Sequence, residues 1–243
     1  MPSLYLEYSP PTPPRETGDL TNHPLWANCQ QSTIERLLKQ SVRRDFSPRA
    51  VIVREKATAD FLHVVIAGSV ELFACYRNRE TEFALIEPPH AFIVAAVILN
   101  RLNLTSARAL QPCDILMVPA DRVREAFDRD ETFARQMANE LAHSYRTVAR
   151  EMKSQTLLTA MERLANWLMD RDAETGGHHL FAIPFDKKSL AGRLGVAPEV
   201  LSRTLAMVSK YGVRIRGATV EILDPTALYR LARPQPQFYD SKE

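Results

Sequence analysis

Two rhythms of apolar and polar residues divide this chain. From Phe46 to about Pro119 the apolar runs are short: Ala50–Val53, Phe61–Ile66, Val70–Tyr76, Thr81–Ile86, Leu104–Leu110 and Ile115–Val118. Turn residues close them at Ala67-Gly68-Ser69, Arg77-Asn78-Arg79-Glu80, Pro88-Pro89 and Gln111-Pro112-Cys113-Asp114. Many short strands with regular turns predict a compact barrel or roll. Ahead of it, Ser32 is placed as the N-cap of a short helix carrying Ile34, Leu37 and Leu38. Beyond it the spacing turns helical. From about Asp130 to Gln155, Phe133, Met137, Leu141, Tyr145, Val148 and Met152 recur at three- and four-residue steps, with Arg135, Glu140, Arg146, Arg150 and Glu151 outside them. That is a narrow seam for a partner helix, so Met137, Leu141, Tyr145, Val148 and Met152 are the expected dimer contacts. Packing of this helix on its own barrel is the alternative. Thr156–Met169 is a further amphipathic helix, and polar Asp170–His179 a surface loop.

The most informative stretch runs from Phe185 to Leu223. A short amphipathic segment, Lys187–Leu194, leads through Gly195-Val196-Ala197 into a second helix from Pro198 to Val208. Leu190, Ala191, Leu194, Val196, Leu201, Leu205 and Val208 form one apolar seam across the turn. Two short helices sharing a seam across a Gly turn make a helix-turn-helix, whose second helix suits a DNA major groove. Tyr211–Leu223 follows as a hairpin, or wing, and Asp224-Pro225-Thr226 caps a closing helix.

Net charge is only +2, so composition alone does not point to nucleic acid. The distribution does. Lys187, Lys188, Arg193, Arg203, Lys210, Arg214 and Arg216 face a single acidic residue, Glu199, giving about +6 over the helix-turn-helix and wing. The three cysteines, Cys29, Cys75 and Cys113, are dispersed, with no zinc-ligand spacing. Scattered thiols, no membrane-length apolar run and no signal pattern predict a cytoplasmic protein without a structural metal. Pro2, Pro10, Pro11, Pro13, Pro14 and Pro24 mark an extended N-terminal arm.

On one helix Glu199, Ser202 and Arg203 share a face. Arginine offers a bidentate fork to guanine O6 and N7, and glutamate accepts from a cytosine amino group. These are the expected base-reading residues, with Ser202 reaching a base or a phosphate. An intrahelical Glu199–Arg203 ion pair is the plainer reading, and the two are compatible. Lys187, Lys188, Pro198, Lys210, Arg214 and Arg216 are the expected contacts to the DNA backbone.

The order of roll, long helix and winged helix-turn-helix resembles the CRP/FNR superfamily of bacterial transcription regulators, over roughly residues 30 to 232. Val64-Val65-Ile66-Ala67-Gly68-Ser69-Val70-Glu71-Leu72 is similar to the family's strand-Gly-strand, and Glu199-Val200-Leu201-Ser202-Arg203 to the E-x-x-S-R core of the FNR-type recognition helix. The resemblance implies half-sites like TTGA(T/C) and RNA polymerase as protein partner. In cyclic-nucleotide-binding members a Gly-Glu-Leu turn holds the ribose and a later Arg-Ser/Thr-Ala the phosphate. Here Val94 and Ala95 stand for the Gly and Glu, and Asn103 and Leu104 for the Arg and Ser. A shifted register recruits Arg101 or Arg108 but restores no glutamate, so cyclic AMP is not expected. Three dispersed cysteines do not supply the four ligands of an FNR-type iron–sulfur cluster. Haem stays open, with His63, His90, His143, Cys75 and Cys113 as conceivable ligands. The apolar run Ala91–Leu99 lines a dry pocket or fills a core.

The expectation is therefore an α+β chain: arm 1–29, roll 30–128, dimerisation helix 129–156 and winged helix-turn-helix 157–243. Its expected function is that of a homodimeric regulator reading double-stranded DNA at a two-fold symmetric site. The rival is a small-molecule-binding enzyme whose winged helix contacts protein, although the sequence offers no nucleophile–base pair, P-loop or metal set.

Overall fold

The computed structural model describes residues 20–76, 79–183 and 187–233. The chain divides into two compact units, Met1–Thr147 and Val148–Glu243, with the division inside the long helix. Among the described residues no helix is long and apolar enough to cross a membrane.

The first unit opens with a single 3-10 turn, Pro24–Trp26, and helix α1, Gln31–Lys39. Strands β1 (Val42–Phe46), β2 (Val51–Val53), β3 (Phe61–Ala67), β4 (Val70–Tyr76), β5 (Arg79–Ile86) and β6 (Ala91–Phe92) follow, then helix α2 (Val94–Leu99). Strands β7 (Ser106–Ala109) and β8 (Cys113–Pro119), helix α3 (Ala120–Arg129) and the long helix α4 (Glu131–Leu157) complete the series. Two four-stranded antiparallel sheets, ordered β1-β8-β3-β6 and β2-β7-β4-β5, make the roll.

Strand β3 explains why one sheet reads as continuously apolar. Val65 faces inward with Val70, Ala107, Ala109, Phe92 and Ile115 between the sheets. Leu62 and Val64 face outward, where α1, α2, α3 and the start of α4 cover them. A strand buried on both faces loses the alternation that marks a half-exposed one.

Several expectations change here. Residues 1–19 of the expected arm lie outside the described residues, as do Arg77 and Asn78. From Leu20 onward the chain is no arm: Leu25 and Trp26 are buried, and the Trp26 ring stacks on Phe133 at 6.2 Å. Ser32 is no N-cap, because α1 already starts at Gln31 and Gln30 holds the cap position. Ala91–Leu99 splits into β6 and α2 around Ile93, which takes a left-handed conformation (φ 56°). Its neighbours Phe92, Val94 and Val97 are buried in the core, whereas Ala95 and Leu99 are exposed, so the run fills the core with one face only.

The long helix also corrects the dimer seam. Phe133 and Met137 are fully buried in the core of their own unit, and Leu141 is half-buried against it. Met137 is therefore not available to a partner. Tyr145 and Met152, at 74% and 70% exposure, and Val148 are exposed.

Asp130 fixes the start of this helix. It accepts from the backbone N–H of Thr132 and Phe133, from the Thr132 hydroxyl, and from the N–H of Gln30 ahead of α1. Burial alone would raise its carboxyl, but bonds from Thr132, Thr33, Phe133 and Gln30 prevail and hold it at about 2. Asp130→Ala is expected to cost about 2 kcal/mol, the upper range for a lost cap. A depressed carboxylate stabilises the fold fully above the unfolded value near 3.8 and loses that contribution as pH falls through about 2. Denaturant unfolding of wild type and variant should thus differ at pH 7 and converge towards pH 2.

The second unit holds α5 (Ala160–Glu174), β9 (Leu180–Ala182), α6 (Lys187–Arg193), α7 (Pro198–Val208), β10 (Val213–Arg216), β11 (Thr219–Ile222) and α8 (Pro225–Ala232). α4 continues to Leu157, and a reciprocal cap between Thr159 and Glu162 restarts the chain as α5. Asp170–Glu174 stay helical, which shortens the expected loop. β9 adds a strand that the sequence did not announce, giving the order β10-β11-β9. Leu164, Leu168, Leu190, Leu201, Val208, Val220 and Leu228 close one core. Buried Asn166 ties α5 to α8, its Nδ2 donating to the Glu162 and Ala232 carbonyls at 2.8 and 2.9 Å.

Candidate nucleic-acid interface

The turn between α6 and α7 is built from backbone. Gly195 adopts φ 60°, a conformation that glycine takes without a Cβ penalty. Its N–H donates to the Gly192 carbonyl, and the Val196 N–H donates to Ala191. This pair of bonds ends a helix in a left-handed cap and sends the chain away from its axis. Ala197 is then extended (φ −68°, ψ 148°), as the residue before proline prefers, and Pro198 opens α7.

Arg163 braces this turn from beneath. Its Nε donates to the Leu194 carbonyl at 2.7 Å, and one Nη donates to the carbonyls of Leu158 (2.6 Å) and Gln155 (3.2 Å). One planar guanidinium thus satisfies carbonyls at the end of α4, in the linker and in the turn. Sequence spacing gave no sign of this residue.

On α7 the inward face is Leu201, Thr204 and Val208, all buried. The outward face carries Glu199, Val200, Ser202, Arg203, Ala206 and Met207, all exposed. The three expected base-reading residues therefore lie together on the solvent side. Among the described residues, the ion pairs of this unit do not join Glu199 to Arg203. The Ser202 hydroxyl donates to the Pro198 carbonyl at 3.0 Å. In this arrangement the Ser202 oxygen keeps its lone pairs for a base amino group.

The expected backbone contacts separate in the structure. Lys187, Lys210 and Arg216 are exposed at the start of α6, after α7 and on the wing. The Lys188 side chain lies outside the described residues. Pro198 is exposed but lacks an N–H, so packing is all it can offer a phosphate. Arg214 stands opposite Glu221 across β10 and β11 and pairs with it at 2.8 Å, which offsets its charge at the wing.

The positions aligned with a nucleotide site look different. Val94 is buried, and Leu104 is 88% exposed. Asn103 is buried, with Nδ2 directed to the Thr58 and Arg54 carbonyls at 3.4 and 3.5 Å. Arg108 bonds Glu71 and Glu80, the latter at 2.6 Å, and lies 4.3 Å above the Phe73 ring. Asn103 thus brings no charge to a phosphate, and Arg108 is committed to two carboxylates, whereas Arg101 is exposed.

The conceivable haem ligands are spread over several settings. His63 is buried and stacked on Phe92 at 5.0 Å, and burial pushes its imidazole down to about 4. His90 bonds Glu140 at 3.1 Å and stacks on His143 at 4.0 Å. Burial raises the Cys113 thiol, which donates to the Ser69 carbonyl, and Cys75 is exposed.

Comparison with known proteins fits this architecture. Residues 43–130 match the cyclic nucleotide-binding domain model and residues 162–231 the Crp-like helix-turn-helix domain model. The chain is 22% identical to the transcriptional activator protein FnrA of Stutzerimonas stutzeri, covering 86% of this chain and 87% of that one. It is 26% identical to the transcriptional activator protein anr of Pseudomonas aeruginosa, over 70% of this chain and 72% of that one. A regulator of the crp/fnr family from Eubacterium rectale superposes with a TM-score of 0.75 at 16% identity, covering 87% of this chain and 98% of the other. FixK2 from Bradyrhizobium japonicum gives 0.67 at 20% identity, covering 80% and 98%. The two structural likenesses establish the fold, and the two domain models occur in the family's order. The chain belongs to the CRP/FNR superfamily of transcription regulators.

Proposed function

We propose that this protein is a cytoplasmic, homodimeric regulator that binds a two-fold symmetric DNA site through α7. The observation that carries this is the outward face of α7, where Glu199, Ser202 and Arg203 stand exposed together. Arg203 reads guanine O6 and N7, Glu199 accepts a hydrogen bond from a cytosine amino group, and Ser202 accepts from a base. Lys187, Lys210 and Arg216 hold phosphates, which fix register without carrying sequence information. Tyr145, Val148 and Met152 supply the dimer seam. No residue is given a catalytic role. The roll scaffolds or senses something other than cyclic AMP, a view supported by Asn103 and by the prior commitment of Arg108. The relatives' names as transcriptional activators support activation, with RNA polymerase as the protein contacted.

Footprinting of the full chain on a promoter library tests the site. Two-fold symmetric protection is expected, and protection without symmetry overturns the dimeric reading mode. Arg203→Ala is expected to lose about 1–3 kcal/mol of discrimination at one base pair per half-site. Lys187→Ala should instead weaken all sequences alike and lower the salt slope by about one per half-site. Unchanged discrimination in the Arg203 variant rejects the proposal.

A further inference from the structure

The recognition face contains an apolar residue that neither hydrogen bonding nor charge explains. Val200 is 40% exposed in the first turn of α7. Helical geometry sets it about 60° around the axis from Arg203 and about 100° from Glu199. It belongs to the outward arc, whereas its neighbour Leu201 fills the core. Residues near the start of a recognition helix are those that reach base edges. The major-groove edge of a base pair carries one apolar group, the C5-methyl of thymine. A valine side chain has no donor or acceptor, so against any other edge it strips water from polar atoms and returns no bond.

We propose that Val200 is a specificity-determining residue that packs on a thymine methyl beside the base pair read by Arg203. This rests on the DNA-reading role of α7 proposed above and extends it to a base that the polar trio does not specify. Met207 serves as an internal comparison. It is similarly exposed, at 46%, on nearly the same side of the helix but about 10 Å further along the axis, beyond the first turn.

The test uses the full chain and a duplex selected from a randomised pool. Each thymine of the selected half-site is replaced in turn by uracil, which removes the methyl and leaves base pairing intact. At one position the change is expected to weaken binding about fourfold per half-site, the value of one buried methyl. Val200→Ser should bind thymine and uracil duplexes equally, whereas Met207→Ala should keep the preference. A selected half-site without thymine overturns the proposal. So does indifference of the wild type to uracil, or an undiminished preference in Val200→Ser, the result expected if this face meets a protein. If the full chain binds no duplex, the DNA-reading role falls and the Val200 contact with it. Loss of the methyl effect alone leaves that role standing.

Discussion

Arg108→Leu is expected to destabilise the roll by about 3–5 kcal/mol, the cost of leaving a buried carboxylate without its partner. Glu71 sits directly opposite Arg108 across β4 and β7 and is only 2% exposed. Arg108 also reaches Glu80 with two nitrogens, at 2.6 and 3.0 Å. Without the guanidinium, Glu71 keeps its desolvation penalty and loses the charge that offset it. A whole domain has about 5–15 kcal/mol in hand, so the variant roll should unfold at much lower denaturant. Unfolding followed through Trp26, in a background carrying Trp167→Phe, reports this unit. Arg108→Leu combined with Glu71→Leu should recover much of the loss, since the buried charge is removed with its partner and the half-buried Glu80 can turn to water. A single variant as stable as wild type would show that the pair is solvated and of little weight.

Gly212→Ala is expected to cost the second unit about 2–6 kcal/mol, through backbone strain and overpacking together. Gly212 lies between α7 and the wing with φ 77°, where an L side chain adds strain of about 1–3 kcal/mol. A Cβ there would also lie 2.8 Å from the Asp224 backbone nitrogen and closer still to its Cβ, adding overpacking of about 1–3 kcal/mol. Asp224 has no freedom to retreat, because its carboxylate caps α8 through the Ala227 N–H at 2.9 Å and its own N–H donates to Gly212. Gly217 is the control. It has φ 62°, but no atom lies within 4 Å of the place a methyl group would take, so Gly217→Ala should lose only about 1 kcal/mol. Trp167 fluorescence during unfolding distinguishes the two. Equal effects would mean that strain alone matters and that Asp224 yields.

The helix-turn-helix was legible in the sequence because a Gly turn, a proline start and a shared apolar seam all mark the same boundaries. The structure returns α7 as Pro198–Val208, as the spacing predicted. β1 was missed for a physical reason. It reads Val-Arg-Arg-Asp-Phe at a sheet edge, where charge blunts unwanted pairing and hides the strand rhythm. Arg43 in it makes a bond pair with Asp114 on β8. α2 was hidden for the opposite reason: a short run with no polar side lacks the period that separates helix from strand. In α4 the three- and four-residue steps were real, but periodicity does not name the neighbour. The same seam turns Met137 into its own core and leaves Tyr145 outside. Arg108 and Arg163 act through partners remote in sequence or through backbone carbonyls, and neither leaves a local pattern.

The Arg163 brace bears on how a DNA-binding fragment is to be excised. A cut at residue 157 removes Gln155, which gives the guanidinium a carbonyl and also places its side chain against the open position at Gly195. Such a truncation leaves the arginine under-coordinated beneath the turn it supports. A minimal fragment therefore retains the final turns of the long helix, beginning at Val148 where the second unit begins.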